Sequence, residues 1–127
     1  MKSKAKRFLL LTMLFQATVV SVVAQILHPA DWDHQFSKAE VSVGDQVDLI
    51  FRVTIDPKLY LYSSDFDPDL GPKVTEFNFI AHQSYELVGE TRPINPKEAY
   101  DEIFEGNYTY FKEKGEFRQT VKILTAN

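Results

Sequence analysis

Apolar residues recur at every second position through most of this chain. Val47, Leu49, Phe51, Val53 and Ile55 alternate with Gln46, Asp48, Ile50, Arg52 and Thr54, which is the clearest segment of period two. Such alternation predicts a strand with one buried and one wet face. Shorter runs repeat the pattern: Trp32, His34 and Phe36; Leu59-Tyr60-Leu61-Tyr62; Thr75, Phe77 and Phe79; Tyr85 and Leu87; Tyr108 to Phe111; Phe117, Gln119, Val121 and Ile123. Turn chemistry separates them, at Gly44-Asp45, Asp56-Pro57, Ser63 to Lys73, Gly89, and Lys112 to Gly115. A long connection is expected from Glu90 to Gly106, with room for one helical turn over Lys97 to Phe104. About seven short strands with turns at roughly 8–12-residue spacing predict an all-β sandwich.

The N-terminus breaks this pattern. Lys2, Lys4, Lys6 and Arg7 precede an apolar run from Phe8 to Val23, which closes with Val22-Val23-Ala24. A positive start, an apolar stretch and small residues at the cut define a secretory signal, so residues 1–24 are predicted to be removed and Gln25 to lead the mature chain. The run, interrupted only by Thr12, Gln16, Thr18 and Ser21, is shorter than the ~18 residues a spanning helix needs, which disfavours an uncleaved anchor. No second apolar segment follows it. Residues 25–127 suit one domain of about a hundred residues, which buries between ~60% and ~70% of its unfolded surface.

Export also changes the charge. Fourteen basic residues stand against eighteen acidic ones, and the four basic residues of the signal leave with it, so the mature part carries ten against eighteen, a net −8. That sign disfavours nucleic acid and anionic membrane surfaces as partners. Cysteine is absent. Thiol–disulfide exchange requires a thiolate, so the sequence as it stands cannot perform that chemistry.

Other constellations in the sequence fit ordinary surface roles. Asp65, Asp67 and Asp69 alternate, and Glu76 follows where a closing calcium ligand would fall. The tight-turn position holds Leu70 rather than glycine, and Pro68 stiffens the loop, so a solvated turn is expected and no metal. His28, His34 and His82 lack metal-ligand spacing, and no serine sits in a nucleophile elbow. Asn107-Tyr108-Thr109 is a formal glycosylation sequon. The unusual excess is aromatic: Tyr60, Tyr62, Tyr100, Phe104, Tyr108, Tyr110 and Phe111 gather in two segments. If Leu59 and Leu61 face the core, Tyr60 and Tyr62 stand together outside, either as a partner surface or as cross-strand packing.

These landmarks, in order, resemble the N-terminal periplasmic domain of DsbD-type thiol:disulfide interchange proteins, the protein-disulfide reductases. They are Trp32 in the opening strand, Ile55-Asp56-Pro57, Leu59-Tyr60-Leu61-Tyr62, Gly71-Pro72, Thr75 to Phe79, Tyr85 to Gly89, Asp101-Glu102-Ile103-Phe104, and Gly115-Glu116-Phe117. The resemblance spans nearly all of the mature chain and implies an immunoglobulin-like sandwich in the periplasm, without a cofactor. It implies thioredoxin-fold proteins or domains as partners. Asp101, Glu102 and Phe104 would form the cap-like segment, with Tyr60 and Tyr62 near the site. The family's cysteine pair follows a strand like the one predicted to end at Leu124, and the resemblance therefore implies a domain truncated at its C-terminus. The expectation is a monomeric docking or scaffold domain that is not catalytic alone. The alternative is a secreted immunoglobulin-like module that binds protein or glycan through Tyr60, Tyr62, Tyr108 and Tyr110.

Overall fold

A computed structural model describes residues 28–125 of the chain. The expected signal, residues 1–24, and its cleavage point lie outside the described residues. The fold is an all-β, immunoglobulin-like sandwich of seven strands in two antiparallel sheets, with no helix among the described residues. The strands are β1 (Ala30–Phe36), β2 (Gln46–Ile55), β3 (Leu61–Tyr62), β4 (Tyr85–Pro93), β5 (Lys97–Asp101), β6 (Gly106–Phe111) and β7 (Lys114–Ile123). The larger sheet runs β1-β2-β7-β4 and the smaller β3-β6-β5.

The period-two segment is β2, the spine of the large sheet. Its register against β7 sets Phe51 opposite Phe117 and Val47 opposite Val121, which puts both apolar sets on one face. Phe117 is fully buried, with rings of Trp32 at 6.0 Å, Phe77 at 5.0 Å and Phe111 at 5.1 Å. Phe111 comes from β6, so this contact joins the two sheets. The approach is close enough that a side chain at Gly115 would collide with Phe111 and Val53. Truncating a buried aromatic costs about 3–5 kcal/mol, so Phe117 anchors the sandwich.

Four sequence expectations need correction. The connection from Glu90 to Gly106 is mostly strand: β4 runs on to Pro93, the chain turns at Asn95 (φ 53°), and it crosses to the small sheet as β5. No helical turn forms over Lys97 to Phe104, because Lys97 to Asp101 are spent pairing with β6. The extension of β4 is possible because a bulge between Val88 and Arg92 absorbs extra residues. The buried Gln119 side chain supports that bulge: its amide donates to Gly89 O at 3.1 Å and accepts from Thr91 Oγ1 at 2.8 Å. Thr75 to Phe79 alternate as a strand would, yet they form no ladder; Thr75 N–H donates to Ser63 O at 3.1 Å and Phe77 still reaches the core. The strand expected over Leu59 to Tyr62 shrinks to its last two residues, because a turn in which Leu59 N–H donates to Asp56 O (2.9 Å) holds its start.

Ile50 is the fourth departure. Period two places it on the wet face, yet it is buried. Arg118 lies opposite it, and Asp48 and Arg52 flank it along β2. These side chains join Glu116 and Arg92 in one ladder. Arg52 Nε meets Glu116 Oε1 at 3.1 Å, Arg118 Nε meets Glu116 Oε2 at 3.0 Å, and Arg92 Nη2 meets Asp48 Oδ2 at 2.8 Å. Thr120 Oγ1 donates to Asp48 Oδ1 at 2.6 Å. Long arginine stems cover apolar surface while their heads stay wet, which accounts for the burial of Ile50.

Candidate functional site

The outer face of the small sheet carries the candidate site. Leu61 pairs with Phe111 and Tyr62 with Tyr110, so the alternation sends leucine and phenylalanine inward and the tyrosines outward. Leu59 and Leu61 pack on the core as expected. Tyr60 and Tyr62 consequently stand side by side outside, ring centroids 5.3 Å apart, with their hydroxyls 3.2 Å apart. Tyr110 lies 5.6 Å from Tyr60, and Tyr108 lies 5.5 Å from Tyr62. The rings meet mostly edge to face, the arrangement their quadrupoles favour. Tyr60 remains half exposed, and Tyr62, Tyr108 and Tyr110 are partly exposed.

The structure brings together four of the seven aromatics singled out from sequence. Phe111 turns into the core, and Tyr100, opposite Asn107 in the register, emerges on the other face of the sheet. It adds a residue that sequence reasoning missed: Phe66, 6.0 Å from Tyr62 and 6.3 Å from Tyr108. Its sequence context, Asp65-Phe66-Asp67-Pro68-Asp69, reads as a solvated loop. The loop is instead strapped to the sheet. Thr109 Oγ1 donates to the Asp65 carboxylate, and Leu70 lies on Gly106. The hydroxyl of the sequon's threonine is thereby engaged, while Asn107 itself is exposed.

The cap-like segment adjoins this loop. Asp101 ends β5, and its carboxylate accepts the N–H groups of Ile103 at 2.8 Å and Phe104 at 3.0 Å. An aspartate that captures the backbone two and three residues on fixes a tight turn. Glu105 closes it at φ 57°. The Phe104 ring lies directly on Gly71, whose φ of 142° and missing side chain make room for it. Ile103, by contrast, is 87% exposed and Glu102 is also exposed. Phe104 is thus committed to Gly71, and Ile103 is the apolar residue the turn offers outward.

The electrostatics follow from this packing. The hydrogen bond with Tyr60 is the largest cause that pushes the Tyr62 hydroxyl up to about 12, followed by burial, with smaller contributions from Tyr60, Tyr108 and, last, Asp101. Burial raises Tyr108 as well, with further contributions from Tyr60, Tyr110 and Asp101. Both hydroxyls stay protonated at neutral pH and serve as hydrogen-bond donors and acceptors, not as nucleophiles.

Chemistry of other kinds finds little purchase. Asp67 Oδ1 accepts Asp69 N–H at 2.9 Å, and no group of three or more His, Cys, Asp or Glu among the described residues is arranged to hold a metal. His82 Nδ1 lies 2.8 Å from Ser84 Oγ, and His28 and His34 are exposed near one edge of the large sheet. No helix among the described residues is long and apolar enough to cross a membrane. No family model, curated protein or solved structure matches the chain.

Proposed function

We propose that this chain is an exported docking domain of a DsbD-like thiol:disulfide interchange system in the periplasm. It holds a thioredoxin-fold partner against the outer face of the small sheet and performs no exchange itself. The observation that carries this reading is the contiguous array of Tyr60, Tyr62, Phe66, Tyr108 and Tyr110 beside the Asp101–Phe104 turn. Tyrosines give large, rigid contact area with a polar tip, which is the make-up of a protein-recognition surface. The absence of cysteine from the sequence gives the domain no thiolate, so its role is to position a partner. The resemblance in ordered landmarks supplies the identity of the partner class.

A second reading is favoured by one observation, the half-exposed ring of Tyr60. A sugar ring could lie on it, which would make the chain a glycan-binding module. Calorimetric titration of the chain with a purified periplasmic thioredoxin-fold protein separates the two. Saturable binding that weakens at least about thirty-fold in Tyr60→Ala/Tyr62→Ala is expected, as for a pair of interface hot spots. No binding to that protein, together with glycan-array binding abolished by the same variant, would establish the module instead.

A further inference from the structure

We infer that the partner presents a cationic segment to this face, with an arginine or lysine side chain lying on the Tyr62 and Tyr108 rings and its charge directed at Asp101. This inference rests on the docking reading above and adds the chemistry of what docks.

The register places Asp101 on the tyrosine face. Ala99 pairs with Tyr108 and Asp101 with Gly106, so Lys97, Ala99 and Asp101 share the side of Tyr110 and Tyr108. Asp101 is near enough for its charge to add the last, smallest contribution to the raised values of Tyr62 and Tyr108. A carboxylate beside two aromatic rings is a cation receptor, since the ring quadrupole and the charge attract the same ligand.

The surroundings reinforce that sign. Phe104 on Gly71 and Leu70 on Gly106 lock the loop holding Asp65, Asp67 and Asp69 against the turn holding Asp101, Glu102 and Glu105. None of these six carboxylates forms an ion pair among the described residues; the pairs found join Arg52, Arg92 and Arg118 to Asp48 and Glu116 on the other sheet. On the tyrosine face itself, the one lysine that the register places there, Lys97, sits opposite Tyr110, at the far end from Asp101. The face therefore runs from positive to negative along β5, and an incoming cation is directed to the Tyr62–Tyr108 end. Clustered charge of one sign also speeds encounter with an oppositely charged partner.

The test uses two short synthetic peptides, one alternating arginine with glycine and one alternating glutamate with glycine, titrated into the isotopically labelled chain and followed by backbone amide shifts. The arginine peptide is expected to shift Tyr62, Tyr108 and their neighbours. Its affinity should fall at least about ten-fold between low and high salt, as screening of exposed charges requires. The glutamate peptide should not bind. Asp101→Asn/Glu102→Gln should weaken the arginine peptide about five-fold or more. The asparagine oxygen can still accept the Ile103 and Phe104 N–H groups, so this variant removes charge and leaves the turn, and its unchanged thermal midpoint checks the fold. Equal binding of both peptides, or arginine-peptide binding that ignores both this variant and Tyr108→Leu, would overturn the inference. The two proposals fail separately. A thioredoxin-fold partner that binds without salt dependence removes the cationic segment and leaves the docking reading. Arginine-peptide binding as described, with no thioredoxin-fold binding, removes that partner and leaves the cation receptor.

Discussion

The two outer faces of this sandwich handle charge in opposite ways. On the large sheet, Arg52, Glu116, Arg118, Asp48 and Arg92 form a continuous ladder across β2, β7 and β4. Each acidic group there meets a basic one, and the buried Ile50 lies beneath the ladder opposite Arg118. On the small sheet, the tyrosines occupy the face and six nearby carboxylates have no ionic partner among the described residues. The first face is complete in itself. The second holds carboxylates that fix its loop and turn through neutral hydrogen bonds, with no basic side chain among the described residues to balance their charge. Net charge alone could not have revealed this, because three of the ten basic residues from position 25 onward are spent on the ladder.

Matched truncations on the two faces probe that difference most strongly. Ile50→Ala removes a buried side chain and should cost about 2–4 kcal/mol in urea unfolding. Tyr60→Ala removes a larger but half-exposed one and should cost under about 1 kcal/mol while weakening partner binding. Equal costs would erase the distinction between a face that supports the fold and one that does not. Asp48→Asn comes next. It weakens the acceptor for Thr120, Arg92 and Arg118, and about 1–2 kcal/mol of stability should be lost with no change in partner affinity.

Acid titration sharpens the same contrast. The Thr120 hydrogen bond, opposed by burial and helped by Arg92 and Arg118, holds the Asp48 carboxyl below its ordinary 3.8. Burial pushes Glu116 up, but the hydrogen bonds and charges of Arg118 and Arg52 outweigh it and leave the group below its ordinary 4.5. Groups depressed in the folded state stabilise it above their unfolded values and lose that contribution as pH falls through the folded ones. The urea midpoint should therefore drop as pH falls below about 4.5, and Asp48→Asn/Glu116→Gln should flatten that limb. A limb unchanged in the double variant would contradict the ladder's role.

The smallest effect belongs to the other face. Tyr62 is held protonated up to about 12 in the fold against an ordinary 10.0. That contribution is intact below 10 and disappears as pH rises through the folded value. Tyrosinate absorbance should show a late-titrating group that moves earlier in Tyr60→Phe, where the hydroxyl pair is broken. A titration unaltered by that variant would mean that the pair does not hold in solution.

Sequence pattern alone reached the faces of β2 and the outward placement of Tyr60 and Tyr62, because alternation reports burial on one side. It failed where burial has another source. Ile50 lies opposite Arg118 within the ion-pair ladder, and no local pattern records that neighbour. β5, with the sequence Lys97-Glu98-Ala99-Tyr100-Asp101, is exposed along most of its length and shows no alternation, yet it pairs fully with β6. Phe66 sits among aspartates and joins the site because Thr109 and the seat of Leu70 on Gly106 tie its loop down. In the cap-like turn, the roles of Asp101 and Phe104 stand out only through the resemblance, and the seat of Phe104 on Gly71 depends on a contact some thirty positions away.

The central claim is that partners dock on the tyrosine face of the small sheet. Mapping amide shifts of the labelled chain during titration with a periplasmic thioredoxin-fold protein tests it directly. The account predicts saturable shifts confined to Tyr60–Phe66 and Tyr100–Tyr110, with the ladder residues Asp48, Arg92 and Arg118 unmoved. Shifts centred on the ladder face, or none at saturating partner, would contradict it.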